Sequence, residues 1–327
     1  MSQHKALLLS SPKGPLVIGT NTVPNPGPGE LLIKVYSASL NPVDWGIKEY
    51  DVYVKEYPVV LGMDMAGTVV ELGEGVSTFK KGDRVYISGA LILQCKQIPD
   101  FMSFDDAAAV PLCLATAAMG LFNKVHGIGL FPPWENGGRG LYHGKPLVVV
   151  GGSSTVGQFV IQLAKLSGFS PIIATASKHN TEYLIRLGAT HVIDRDMTSD
   201  MICIEIANIT SEPIEVSYDA AGDPKAADLA YDLLSPGGCA VLHFRDEKKN
   251  RPDRRAAYVL GNAHRTANRN MGISLFSKLP ALLEEGAIRP NRVEVLPNGL
   301  EGVVFGLERL KRGISSLKLI AHPQETA

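Results

Sequence analysis

The stretch LVVVGGSSTVGQFVIQLAKLSG (147–168) constrains this chain more than any other. Four consecutive apolar residues, Leu147 to Val150, read as a strand buried on both faces, the mark of a parallel sheet. A turn of small residues follows. Apolar residues then recur at helical spacing until Gly168, which stands as a C-cap. Strand, small-residue turn and helix in this order make a phosphate cradle, because the first N–H groups of a helix point outward and carry positive potential. Gly152, Ser154 and Gly157 occupy the G-x-G-x-x-G register, with Ser154 in place of the middle glycine, and Ser153, Thr155 and Val156 fill the turn. A glycine motif alone can be a plain strand–helix turn; its surroundings decide.

Those surroundings repeat one rhythm. PIIATAS (171–177), a helix TEYLIRLG (181–188), THVID (190–194), IEVSYDAAG (214–222) and GGCAVLHF (237–244) alternate strand-like and helix-like patterns. That rhythm predicts a doubly wound parallel sheet that binds a dinucleotide. An NAD site places Asp or Glu about 20 residues after the turn, on the ribose 2′-hydroxyl. Here that place holds Ser177, Lys178 and Asn180, with no acid. A hydroxyl, an ammonium and an amide suit a 2′-phosphate, so NADPH is the expected cofactor; the other reading of Lys178 is a solvated surface lysine. Asp219, ending the SYD strand, reads as a turn residue or as a neighbour of the nicotinamide. His243, ending a further strand, completes the candidate cofactor set.

The two ends of the chain read differently. LLIKVYSASL (31–40), MAGTVVELG (65–73) and GDRVYI (82–87) are strands punctuated by Gly and Pro. SFDD (103–106) has capping-box spacing and opens an Ala-rich helix that Pro111 interrupts. At the far end, LFSKLPALLEEG, RVEVL, LEGVVFGLERLKRG and SSLKLIA predict helix, strand, helix, strand. Length, 327 residues, suggests two domains. A net charge of −1 gives no footing for a nucleic acid. The four cysteines form no CxxC pair, no signal-peptide layout opens the sequence, and no stretch reads as a bilayer span. A cytoplasmic protein without a membrane partner is expected.

PVVLGMDMAGTVVELGEGVSTFKKGDRV (58–85), LNPVDW (40–45), AAAVPLCLATAAMGLF (107–122) and GGSSTVGQFVIQLAK (151–165) together resemble the medium-chain dehydrogenase/reductase family, over nearly the whole chain. Within it the sequence looks most like fungal zinc-free enoyl reductases, including the trans-acting partners of polyketide synthases, and is similar to quinone oxidoreductases. The resemblance implies an α/β protein: a GroES-like β-barrel catalytic domain in two parts, 1–120 and 271–327, around a Rossmann NADPH-binding domain, 121–270. It implies a monomer or a homodimer.

The family's zinc enzymes hold catalytic metal through Cys, His and Cys. The matching positions here are Asn41, Met63 and Leu112, with Asp64 where the signature has Glu, so no metal site is expected. Without a Lewis acid, conjugate reduction is favoured over alcohol oxidation. Candidate catalytic groups are Asn41, either a turn cap or a nicotinamide neighbour; Lys48, either an oxyanion donor or a solvated lysine; Tyr50 and Tyr53 as proton donors; and Thr116, beside the nicotinamide or bonded to its own helix. The segment between GDRV and QIPD is shorter than relatives carry. The segment 248–270, with Lys248, Lys249, Arg251, Arg254 and Arg255 clustered, reads as a solvated loop or as a dock for an acidic carrier or its phosphopantetheine. The expected activity is NADPH-dependent, zinc-free hydride transfer to the activated double bond of a small or carrier-bound enoyl thioester or enone. The alternatives are a broad quinone or alkenal reductase and a weakly catalytic NADPH-binding protein.

Overall fold

The computed structural model describes residues 2–89 and 95–327. The chain first builds β1 (Gln3–Leu9), β2 (Leu16–Thr22), β3 (Leu31–Ser39), α1 (Pro42–Tyr50), β4 (Val59–Val60), β5 (Asp64–Leu72), β6 (Arg84–Ser88), β7 (Lys96–Gln97) and α2 (Phe104–Ala108). It continues through α3 (Pro111–Phe122), β8 (Leu147–Val150), α4 (Thr155–Ser167), β9 (Ile172–Ala176), α5 (Thr181–Leu187), β10 (His191–Asp194) and α6 (Ser199–Ile209). Next come β11 (Val216–Asp219), α7 (Pro224–Asp232), β12 (Cys239–Leu242), β13 (Arg255–Tyr258) and α8 (Thr266–Glu284). β14 (Val293–Val295), α9 (Glu301–Arg312) and β15 (Lys318–Ala321) close it.

Two compact units result. One joins Met1–Pro111 to Pro290–Ala327, and the other is Leu112–Arg289. The expected boundaries at 120/121 and 270/271 therefore move, since they would cut α3 and α8. α3 belongs to the second unit because Tyr218 Oη, on β11, donates to Thr116 O at 2.9 Å. Gly120 comes so close to Tyr218 that a Cβ there would lie 2.5 Å from the ring.

The first unit is β-rich. Its smaller sheet runs β2-β1-β4 and its larger one β14-β15-β3-β5-β6-β7. β3 and β5 pair antiparallel from Leu31↔Leu72 to Ser39↔Asp64, with two register shifts that bend the ladder. β15 pairs with β3 through Ile320↔Ser39 and Ala321↔Ala38, so the last strand completes a sheet begun near the N-terminus. Residues 90–94 of the short segment between β6 and β7 lie outside the described residues.

The second unit is the doubly wound sheet. Its order is β10-β9-β8-β11-β12-β13, and every pairing is parallel. Numbered from β8, this is the order 3-2-1-4-5-6 of a dinucleotide-binding fold. β8, β9, β11 and β12 are buried along their whole length, as continuous apolar runs require. β13 corrects the reading of 248–270 as a loop: Arg255 to Tyr258 pair with Cys239 to Leu242 as the sixth strand. The basic run before it is internally tied. Lys249 Nζ lies 3.1 Å from Asp228, and Arg251 reaches Asp232 of α7.

Phe104–Phe122, spanning α2 and α3, also corrects the expectation that no stretch approaches bilayer length. It is long and apolar enough by composition, but 78% of it is buried inside the protein, the condition of a core helix.

Candidate functional site: a dinucleotide cradle and a buried charge cluster

The cradle starts from a packing requirement. Gly151 ends β8 with φ +84°, a left-handed turn that glycine adopts without strain. Its N–H donates to Thr175 Oγ1 at 3.1 Å, and the N–H of Gly152 to Thr175 O at 2.9 Å, which pins the turn to β9. Gly157 sits in the first turn of α4 against that loop. A Cβ there would lie 2.4 Å from Gly151 O and 2.9 Å from Gly152 Cα, both backbone atoms. A Cβ on Gly152 would lie 2.7 Å from Ala174 Cβ. These two glycines therefore set the closeness of helix and sheet, and with it the place of the helix N-terminus.

Ser154 caps α4: its Oγ accepts from Gly157 N at 2.9 Å. The middle position of the motif thus serves the helix first, while its hydroxyl proton stays available to a ligand. Ser153 is buried and its carbonyl accepts from Gln158 Nε2 at 3.0 Å. Thr155 Oγ1 accepts from the Cys113 thiol at 3.3 Å, and Val156 is the second residue of α4.

The other cofactor candidates follow the carboxyl ends of strands adjacent to β8, the edge at which such sheets bind ligands. Ser177 and Lys178 follow β9, Asp219 ends β11, and His243 follows β12 with its side chain exposed. Asp219 is fully buried, and its Oδ1 accepts from Ala221 N at 3.0 Å and Gly222 N at 2.9 Å. This is the turn role expected of it. Its Oδ2 is buried with no hydrogen-bond partner in the chain. Burial raises the carboxyl to about 6, against the pull of those two N–H groups.

At β9, Lys178 is 83% exposed, with Nζ 3.4 Å from Asp194 Oδ2 at the end of β10. The ammonium therefore stands at the rim, loosely held by an acid that the sequence reading passed over. Asn180 is buried within the turn that follows. These residues fit a dinucleotide: a pinned glycine turn at a helix N-terminus and a cation after the second strand.

Thr116 lies in the second unit, and its Oγ1 donates to Leu112 O at 2.8 Å, one helical turn back. Gly261 packs directly on that hydroxyl, since a Cβ there would fall 2.0 Å away. That is the bond to its own helix that one of its two readings describes.

Asn41, Lys48, Tyr50 and Tyr53 lie in the first unit. Asn41 caps α1: its N–H donates to Asp44 Oδ2 at 2.7 Å. Its amide Nδ2 donates to Asp64 Oδ2 at 3.1 Å, and its Oδ1 accepts from the Lys318 ammonium. Asn41 is 1% exposed, and its side chain ties the start of α1 to Asp64 and Lys318. Lys48 is half-buried on α1, and Tyr50 and Tyr53 are exposed, Tyr50 tilted against Trp45 at 6.0 Å. Tyr53 stands at φ +68°, left-handed for a bulky residue.

Lys318 was not singled out from the sequence, although a lone lysine in an apolar strand was the available signal. Its Nζ lies 3.8 Å from Asp64 Oδ2, with side-chain exposures of 3% and 0%. Beside them Asp44 is pushed up to about 7, chiefly by burial. At the position where a zinc enzyme would need a thiolate, an amide is thus committed to a carboxylate and an ammonium. Among the described residues no group of three or more His, Cys, Asp or Glu could hold a metal ion.

Comparison with known proteins agrees with this architecture. Residues 27–128 match the alcohol dehydrogenase GroES-like domain, and 155–247 the zinc-binding dehydrogenase domain. A trans-enoyl reductase of Aspergillus japonicus, himH, is 30% identical over 313 residues, covering 89% of each chain. The chain belongs to the medium-chain dehydrogenase/reductase family. It is an oxidoreductase by that membership, with a dinucleotide-binding Rossmann unit. Among solved structures, the quinone oxidoreductase of Coxiella burnetii is 25% identical, covers 98% of this chain and 99% of its own, and superposes with a TM-score of 0.72. A mycobacterial protein solved with NADPH superposes with a TM-score of 0.76 at 20% identity, covering 98% of this chain and all of its own.

Proposed function

We propose that this protein is an NADPH-dependent, zinc-independent reductase of activated carbon–carbon double bonds, with an enoyl thioester or enone as substrate. One observation carries the cofactor choice: the second strand of the sheet is followed by Ser177 and Lys178 rather than by an acid, with the ammonium at the rim. A 2′-phosphate there gains charge-assisted hydrogen bonds that a 2′-hydroxyl cannot match. When bound, NADPH supplies a hydride to the β-carbon. The chain's own part is to hold the pyrophosphate on the α4 N-terminus, donate to the oxyanion that develops on the carbonyl, and deliver a proton to the α-carbon. Lys48 is the proposed oxyanion donor, with Tyr50 and Tyr53 as alternative sources of the proton.

The commitment of Asn41 to Asp64 and Lys318 supports zinc independence, because a buried ammonium already supplies the positive charge that a metal would bring. The trans-enoyl reductase relative favours an enoyl thioester. The likeness to a quinone oxidoreductase supports a second reading, a broad quinone reductase. The test is NADPH oxidation against a panel of enoyl thioester, enone and quinone, repeated with NADH and with metal analysis of the same sample. The expected outcome is turnover of thioester or enone, with kcat/KM at least about tenfold lower for NADH, the worth of one or two charge-assisted bonds. Equal use of NADH, or stoichiometric zinc, overturns the reading.

A further inference from the structure

Asn268, in the first turn of α8, has no exposed surface. Its amide Nδ2 donates to Leu260 O at 2.7 Å and to Asn262 O at 2.9 Å, and its Oδ1 accepts from Asn123 Nδ2 at 3.2 Å. Asn123, 4% exposed just after α3, also donates to Ala267 O at 3.1 Å. Its Oδ1 accepts from the N–H groups of Val125 at 2.7 Å and His126 at 3.0 Å. An amide pair in place of apolar side chains adds nothing to the hydrophobic core. What it supplies is a fixed geometry, because a satisfied polar network rigidifies the elements it joins. Here it joins the end of α3 to the loop that follows β13.

The course of α3 gives that loop its importance. Cys113 meets Thr155 in the first turn of α4, beside the glycine turn. Thr116 is one helical turn further along the same face. Against it lies Gly261, where a Cβ would fall 2.0 Å from Thr116 Oγ1 and 3.1 Å from its Cα. α3 therefore reaches from the phosphate cradle to the loop after β13, with Thr116 O held by Tyr218 of β11 at 2.9 Å. In a sheet of this order the adenosine ribose meets the residues after the second strand, here β9. The nicotinamide half then falls to the carboxyl ends of β11, β12 and β13, across the switch between β8 and β11. We propose that Asn268 is a positioning residue for the nicotinamide. Through Leu260 O and Asn262 O it holds the Gly261 backbone on Thr116, and that backbone wall fixes where the ring lies. Asn268 itself touches neither cofactor nor substrate. The inference rests on the dinucleotide reading of this unit and adds to it a residue remote from the cradle.

The test compares two ligands by calorimetric titration of the intact chain: NADPH, and 2′-phospho-ADP-ribose, which keeps both riboses and the pyrophosphate but has no nicotinamide. Asn268→Asp retains the shape and the acceptor for Asn123. Charged, its carboxyl donates neither bond to the loop; protonated, it donates only one. The variant should bind NADPH about tenfold more weakly, the worth of one hydrogen bond, and the nicotinamide-free analogue as wild type does. A merely structural asparagine would weaken both ligands together or neither. Should Asn268→Asp not fold, Asn123→Ser serves instead: its hydroxyl still accepts from Val125 and His126 but cannot reach Asn268 Oδ1, and the same selective loss is expected. Repeating the pair with NADH and ADP-ribose keeps the result independent of the 2′-phosphate. Wild type that binds none of these ligands overturns the dinucleotide reading, and this inference with it. Wild type that binds them, beside a folded variant whose losses are equal for the two ligands or absent, overturns the role of Asn268 alone.

Discussion

Replacing Lys318 by Met keeps the length and the apolar stem of a buried side chain and removes its charge. The ammonium lies 3.8 Å from Asp64 Oδ2, and both side chains are almost wholly out of solvent. At an effective dielectric of about 20, a unit pair at that distance attracts by about 4 kcal/mol. The single variant strands a carboxylate in the core and leaves Asn41 Oδ1 without the ammonium it accepts from. A loss of about 3–5 kcal/mol is expected, as when one partner of a buried pair is deleted. Adding Asp64→Leu removes the stranded charge, and the double variant should recover about 2–4 kcal/mol of that loss. Urea unfolding in a Trp134→Phe background is the assay, because Trp45 then reports the first unit alone. A cost under about 1 kcal/mol for Lys318→Met, or additive effects in the double variant, would refute the reasoning.

Gly157→Ala places a Cβ 2.4 Å from a backbone carbonyl, so overpacking of about 1–3 kcal/mol should outweigh the helix-propensity gain of about 1 kcal/mol. NADPH affinity should fall at least about tenfold by titration, since the helix N-terminus must shift. Lys178→Ala should lower kcat/KM with NADPH by about tenfold and leave NADH unchanged; equal effects on both would assign Lys178 to the surface. Asp44, held at about 7 against an ordinary 3.8, keeps a proton in the folded state that the unfolded chain has lost. Stability should therefore fall as pH rises from about 4 to about 7 and level off above. Asp44→Asn should flatten that slope in thermal melts between pH 4 and 8, and an unchanged slope would exclude Asp44 as its source.

What the sequence disclosed was local. LVVV is apolar on both faces, and GGSSTVG needs small residues because helix and strand nearly touch; both facts lie within a dozen residues of each other. Pro111 divides α2 from α3 for the same kind of reason. What stayed hidden was set by distant partners. β13 carries Arg255 in a charged stretch, and only the free edge of β12 makes it a strand. α6 and α7 escape the sequence reading: Ser199–Ile209 buries only Ile202 and Ile206, and the buried positions of Pro224–Asp232 are mostly alanines, against a sheet that exists elsewhere in the chain. Asn41 looked like half turn cap, half cofactor neighbour. Its commitments to Asp64 and Lys318 are contacts that no spacing rule announces.

The Lys318–Asn41 bond joins residues 277 positions apart. During synthesis, the N-terminal sheet must wait with β3 unpaired on one side while all of the second unit emerges and, being contiguous, folds. Only the final strand brings the ammonium that neutralises the interior carboxylate and covers the open β3 edge. A chain that ends between residues 289 and 318 therefore has every residue of the nucleotide-binding unit but leaves the sheet of the first unit uncovered and charge-unbalanced. Such a shortened chain differs from the one described by an open β3 edge as well as by its length.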